Sequence, residues 1–483
     1  MLLRTDPAMR SKPQRRRQRG AALLLMMLVV LVAATAVLVT RLNMNEARAR
    51  QQTDAQDILS NARRALLDYA LLNPDMSPGE PARLPCPDID GSGGWLEGEA
   101  HSTACGATGE TVMGRLPWRT LGMAPPRDAG GACLWYVVSG SHKDADTASA
   151  AMLNDDSSGQ LQLWGIEATR VITGATPEDR AAALIIAPMH ALGSQDRSAP
   201  AAGEQCSSGF VASEFLDVDG GSGISNATLS GSADVIDIFA VAAGFDSSHN
   251  DRIAAVSRAD VAGAMTGRHD YLAQMRSLGL AASACIANYA NTNPGGANDR
   301  RMPWPAPMRL TDYRVDAQYD DADIGLLSGR LPDGVDDSNA STGNPVARVL
   351  SDCDPVAVPE WTPEMLELWR NWKDHFFYAV GESFAPSAPL PSVCTTCLTV
   401  NSAGPYAAVL LFSGTRLAAL GQTRTAPPID TDSKDDSGNY LEGSNTSNVP
   451  YVSGPVDFTS QAASGTFNDL LFCVDPALNV SEC

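Results

Sequence analysis

The chain has 483 residues, 44% of them hydrophobic, and a formal net charge of −21. It is long and apolar enough to bury the cores of two or more domains, which excludes a disordered tail. The acidic excess excludes a nucleic-acid partner, because phosphate neutralisation needs a basic surface.

Seven basic residues (Arg4, Arg10, Lys12, Arg15, Arg16, Arg17 and Arg19) and one acid, Asp6, precede Ala21 to Val39, nineteen residues without charge, Gly or Pro. As a helix this run extends roughly 28 Å, enough to span a bilayer core. The basic excess predicts that residues 1–20 stay cytoplasmic and that the rest lies outside, as in a single-pass membrane protein. A cleaved secretory signal competes with this reading. Against it, the run exceeds a usual signal core, and the small residue Gly20 lies before it. In addition, no Gly or Pro interrupts Ala21 to Asn73, so an unbroken helix is expected up to Pro74. Its second half is amphipathic: Ile58, Ala62, Ala65 and Tyr69 recur at helical spacing, predicting a face that packs on a folded head.

A basic leader ending in Gly20, followed by this helix, resembles the class III signal and N-terminal helix of type IV pilins and type II secretion pseudopilins. The resemblance implies cleavage between Gly20 and Ala21 by a prepilin peptidase and methylation of the new terminus. It also implies assembly with other pilins through the helix. Two positions depart from the family: Ala21 replaces the usual Phe, and Leu25 stands at the fifth mature position where most members have Glu. A carboxylate in lipid is costly unless paired, and the family's glutamate is thought to meet the terminal amine of a neighbouring subunit. A subunit with none above it has no such amine to meet. Leu25 therefore points to a minor, tip-located subunit of a filament displayed at the cell surface.

Ten cysteines all follow the apolar run, and an even number in an oxidising compartment predicts disulfides. The shortest closures are Cys86 with Cys105 and Cys473 with Cys483. Cys394-Thr-Thr-Cys397 reads as a structural bridge rather than a redox pair or half a zinc site, since neither a thioredoxin-like context nor a second CxxC accompanies it.

The chain repeats itself. Ala62 to Pro74 recurs as Ala282 to Pro294, at an offset of 220 residues. Further echoes follow in the same order: Arg83 to Pro87 with Arg301 to Pro305, Gly114 to Pro117 with Gly329 to Pro332, and Leu134 to Gly140 with Phe376 to Glu382. Ala182 to Ile186 is then answered by Ala407 to Leu411, and Asn250 to Ile253 by Asn468 to Leu471. Gln195 and Arg197 likewise meet Gln422 and Arg424. The predicted organisation is a leader (1–20), a transmembrane and amphipathic helix (21–73), a first head (74–267), and a second head with its own helix (268–483). Each head reads as α+β, a helix packed on an antiparallel sheet of short β-branched and aromatic strands. That agrees with the pilin-like fold which the N-terminus implies.

Asp88, Asp90, Ser92 and Glu99 fall at positions 1, 3, 5 and 12 of a loop with Gly at 6, the oxygen spacing of a calcium loop. Pro85 and Pro87 forbid an entering helix, so an ordinary Asp/Gly turn competes. The resemblance favours calcium, since pseudopilin heads are often calcium-stabilised. The acidic tracts around Asp217 and Asp219 and around Asp430 to Asp436 match the loop less well. The six histidines are scattered, and neither a nucleophile elbow nor a phosphate loop is present. The expected function is therefore a non-enzymatic minor subunit of a type IV pilus or type II secretion pseudopilus. A filament-displayed adhesin or substrate-binding protein, and a signal-anchored periplasmic enzyme, are the rivals.

Overall fold

In the computed structural model, helix α1 runs from Gln18 to Met76 as one element of 59 residues. The structure describes residues 18–77, 79–89, 96–101, 103, 105–145, 151–197, 205–206, 209–232, 238–242, 249–292, 299–321, 325–335, 347–424 and 431–483. The chain divides into two units, Met1–Asp57 and Ile58–Cys483. Pro74 lies inside α1, in its last turn, where losing one donor costs little before the helix ends.

Within Ile58–Cys483 the end of α1 buries Leu59, Ala62, Leu66 and Ala70, with Ile58, Ala65 and Tyr69 half-buried at the flank of this stripe. The buried line is thus rotated from the one read in the sequence. The larger Leu59 and Leu66 take the centre, while Tyr69 keeps its hydroxyl on Asp144 Oδ2 at 2.5 Å. Arg63 anchors the same stretch through the Ala255 carbonyl (3.1 Å) and Asp260 (2.7 Å).

The fold is α+β, with several antiparallel sheets. Strands β1 (Gly109–Arg115), β2 (Trp135–Gly140), β3 (Leu161–Trp164), β4 (Val171–Thr173), β5 (Ala181–Ala187), β6 (Ile238–Val241) and β7 (Arg252–Ser257) form the first large sheet. Its spine is β1-β2-β5-β7, with β3, β4 and β6 attached at one end of β5. Helices α2 (Arg258–Thr266) and α3 (Tyr271–Thr292) follow. The second large sheet orders β8 (Ser328–Arg330), β9 (Phe376–Val380), β10 (Ala408–Phe412), β11 (Leu470–Val474) and β12 (Val480–Glu482), with α4 (Pro363–Trp372) leading into β9.

The two spines share a register. Arg115, Trp135, Ile186 and Ile253 stand on one rung of the first sheet; Arg330, Phe377, Leu411 and Leu471 stand on one rung of the second. These are the residues that the sequence echoes align. Strands β2, β5, β9 and β10 are buried along their whole length, which explains their unbroken apolar runs. Both sheets are covered on two faces.

Helix α3 lies against β10, β11 and β12 and buries Gly279, Ala282, Ile286 and Ala290. At the repeat offset these match Leu59, Ala62, Leu66 and Ala70. The pairing of Leu59 with Gly279 marks a closer approach in the second half: a Cβ on Gly279 would come within 2.1 Å of the Phe472 ring.

Candidate functional site

One described helix is long and apolar enough to cross a membrane. Leu23–Arg41 has a mean hydropathy of 2.9 and none of it is buried. Gly20 and Ala21 lie within α1, and Leu25 is exposed. The two hydroxyls of the span are turned inward on their own backbone: Thr35 Oγ1 donates to the Leu31 and Val32 carbonyls (both 2.9 Å) and Thr40 Oγ1 to that of Ala36 (2.7 Å).

Of the expected calcium ligands, Asp90 and Ser92 lie outside the described residues. Asp88 is buried, with Oδ2 accepting the Gly98 N–H at 2.7 Å and Oδ1 3.9 Å from His101 Nε2. Glu99 accepts the Leu96 N–H at 2.9 Å. All ten cysteines are paired: Cys86–Cys105, Cys133–Cys206, Cys285–Cys353, Cys394–Cys397 and Cys473–Cys483. Cys394 and Cys397 are thus spent on each other. Trp118, Trp135, Trp304, Trp361, Trp369 and Trp372 are buried, which makes them core anchors rather than an exposed carbohydrate platform.

The sequence reading missed a buried polar network that the two halves hold in common. In the first half the Asp217 N–H donates to Asp251 Oδ2 (2.8 Å), the Asn250 N–H to Asp217 Oδ2 (2.7 Å), and Gln195 Nε2 to Asp217 Oδ1 (3.0 Å). In the second half the Glu442 N–H donates to Asp469 Oδ2 (3.0 Å), the Asn468 N–H to Glu442 Oε2 (3.0 Å), and Gln422 Nε2 to Glu442 Oε1 (2.7 Å).

Arg197 and Arg424 serve each network alike. Arg197 donates to the carbonyls of Glu214 and Phe215 and to Gln195 Oε1, beside the Phe215 ring. Arg424 donates to the carbonyls of Asn439 and Tyr440 and to Gln422 Oε1, beside the Tyr440 ring. Burial, and then the neighbouring carboxylate, pushes both Asp251 and Asp469 well above the usual carboxylate range. Asn250-Asp251 and Asn468-Asp469 were legible as an echo. What they hold was not, because their partners come from distant loops.

One member differs. His249 is buried beside Asp217 and Asp251, and a ligating atom of each of the three lies within 4.8 Å of the others. At the corresponding place before Asn468-Asp469 the chain has Phe467.

A second buried cluster joins the halves. Asp155 and Asp156, on the loop before β3, meet His375 at the start of β9: His375 Nε2 is 2.9 Å from Asp155 and 3.3 Å from Asp156, and Nδ1 is 3.0 Å from Asp374. Lys434 lies 2.6 Å from Asp374 and 3.5 Å from Asp156. Asn154 Nδ2 donates to Asp374 Oδ1 (2.8 Å) and to the Asn371 carbonyl (2.8 Å). Burial disfavours the imidazolium, but Asp156, Asp374 and Asp155 outweigh it and push His375 up to about 9. Burial likewise opposes the Asp155 charge, yet His375 holds its pKa down at about 2. These are charges satisfied by one another, a seam that locks the halves in one arrangement.

Comparison with family models, with curated proteins and with solved structures finds no match to the chain. The functional reading therefore rests on the residues themselves.

Proposed function

We propose that the chain is a pilin-like minor subunit, placed at the tip of a type IV pilus or type II secretion pseudopilus and anchored in the inner membrane before assembly. The observation that carries this is α1, whose apolar stretch Leu23–Arg41 is bare while Ile58–Met76 is built into the folded part. A cleaved secretory signal has no use for a helix that continues into the fold. In a filament, the bare stretch would bundle with the helices of other pilins, where close van der Waals packing replaces lipid.

The shared rungs of the two sheets support a duplicated head, each half pairing a helix with an antiparallel spine. Size supports the tip. A compact body of some 410 residues has a radius near ~21 Å against ~13–14 Å for a 120-residue head, too bulky to repeat along a tight shaft. Under this reading a prepilin peptidase cuts between Gly20 and Ala21, and the protein acts by assembly rather than by catalysis.

The experiment is mass spectrometry of the N-terminal peptide from the membrane-extracted and filament-associated protein. A methylated Ala21 terminus is expected. An intact arginine-rich leader on assembled protein overturns the proposal.

A further inference from the structure

The second half has Phe467 where the first has His249, and the imidazole brings to the first half a polar atom that its own bonds leave unmatched. His249 Nε2 sits 2.8 Å from the Val241 carbonyl; a carbonyl only accepts, so Nε2 carries the hydrogen and Nδ1 keeps its lone pair. That Nδ1 is buried without a hydrogen-bond partner, and so is Asp251 Oδ1. His249 and Asp251 are fully buried and Asp217 nearly so.

We propose that Asp217, His249 and Asp251 bind a divalent transition-metal ion of the zinc or manganese class, and that the second half has lost this site.

Two carboxylates and a neutral imidazole, its far nitrogen held by a carbonyl, form the nitrogen and oxygen set that such ions take. Calcium takes oxygen ligands alone, which His249 does not offer. The hydrogen-bond donors on Asp217 and Asp251 are amides and backbone N–H groups; Arg197 acts on both carboxylates from nearby but donates to carbonyls and Gln195 rather than to them.

The seam cluster of Asp155, Asp156 and His375 has ligating atoms equally close together. There, however, Lys434 and Arg258 already face the carboxylates, and an added cation would meet like charge. In the second half Asp469 Oδ1 is likewise without a hydrogen-bond partner, but Phe467 offers no ligand atom where the first half has His249.

The test uses the full-length protein in detergent, stripped with chelator, dialysed against zinc, manganese or calcium, and measured for bound metal by mass spectrometry. One equivalent per chain is expected for zinc or for manganese. His249→Phe, which writes the second half's residue into the first, should lose it while folding to the same circular-dichroism spectrum in chelator. Should that variant fail to fold, Asp217→Asn takes its place with the same expectation. Asp469→Asn should retain one equivalent. No binding by the wild-type chain, full binding by a folded His249→Phe or Asp217→Asn chain, or calcium as the sole ion bound at these residues overturns the proposal.

Discussion

Asn226 and Asn445 clamp the two halves in the same way. Each amide exchanges a pair of hydrogen bonds with one backbone residue, Val241 (2.8 and 2.9 Å) or Thr459 (3.0 and 2.8 Å). Each also donates to the buried carboxylate, Asp251 (2.9 Å) or Asp469 (2.8 Å). Removing such an amide strands the backbone N–H of Val241 or Thr459 away from water and takes one of two donors from the carboxylate oxygen, which keeps the N–H of Asp217 or Glu442. Asn226→Ala and Asn445→Ala should each cost about 1–3 kcal/mol, the cost of a buried group left unpaired. Denaturant titration checks this; a loss below about 0.5 kcal/mol in either variant, the level of an ordinary surface change, would show that the clamp is incidental.

Two buried histidines should give stability opposite dependences on pH. His375 is pushed up to about 9, so its stabilising charge is fully present below the unfolded value near 6.5 and is lost as pH rises through about 9. His142 is pushed down to about 3, first by burial and then by Arg258 and Arg83. Its contribution is full above about 6.5 and disappears as pH falls toward about 3. Each amounts to a few kcal/mol, at roughly 1.4 kcal/mol per pKa unit. Melting temperatures from pH 4 to 10 should show His375→Gln flattening the alkaline limb and His142→Gln the acid limb; the reverse assignment contradicts the geometry.

Two helical glycines should respond oppositely to alanine. At Gly263, inside α2, an added Cβ meets nothing within 4 Å, so Gly263→Ala should stabilise by about 0.5–1 kcal/mol through helix propensity. At Gly279 the same atom would lie 2.1 Å from Phe472, and overpacking of about 1–3 kcal/mol outweighs that gain. Paired melting curves of the two variants decide this.

Placing charge on the bare stretch of α1 should weaken membrane retention. Val30→Asp puts a carboxylate near the middle of the span at a cost of about 2.5–3.5 kcal/mol. The fraction of protein recovered in membranes, measured against Val30→Leu, should fall for the aspartate variant alone.

Much of the architecture was visible in the residues. The echoes aligned the rungs on which Arg115 and Arg330 stand, because strand pairing carries a local pattern of period two. Thr362 and Pro363 open α4 by a signal that the residues carry locally, with Thr362 Oγ1 capping the Met365 N–H. Ser257 and Asp260 start α2 with a capping box, a signal present in the sequence. The buried face of α1 was misplaced by one flank, since periodicity names a face but not which large side chain takes its centre. The seam and the His249 cluster stayed hidden. Asp155 and His375 are 220 residues apart, and their meeting depends on how two sheets dock, which no local spacing records.

Between Leu23 and Val39 every side chain of α1 is apolar except Thr35, whose hydroxyl is already bound to its own carbonyls. Such a cylinder has no preferred azimuth. It can swivel about its long axis in any apolar surrounding at little cost, because each angle presents the same greasy wall. Where the rod points around that axis must then be decided by residues beyond this stretch.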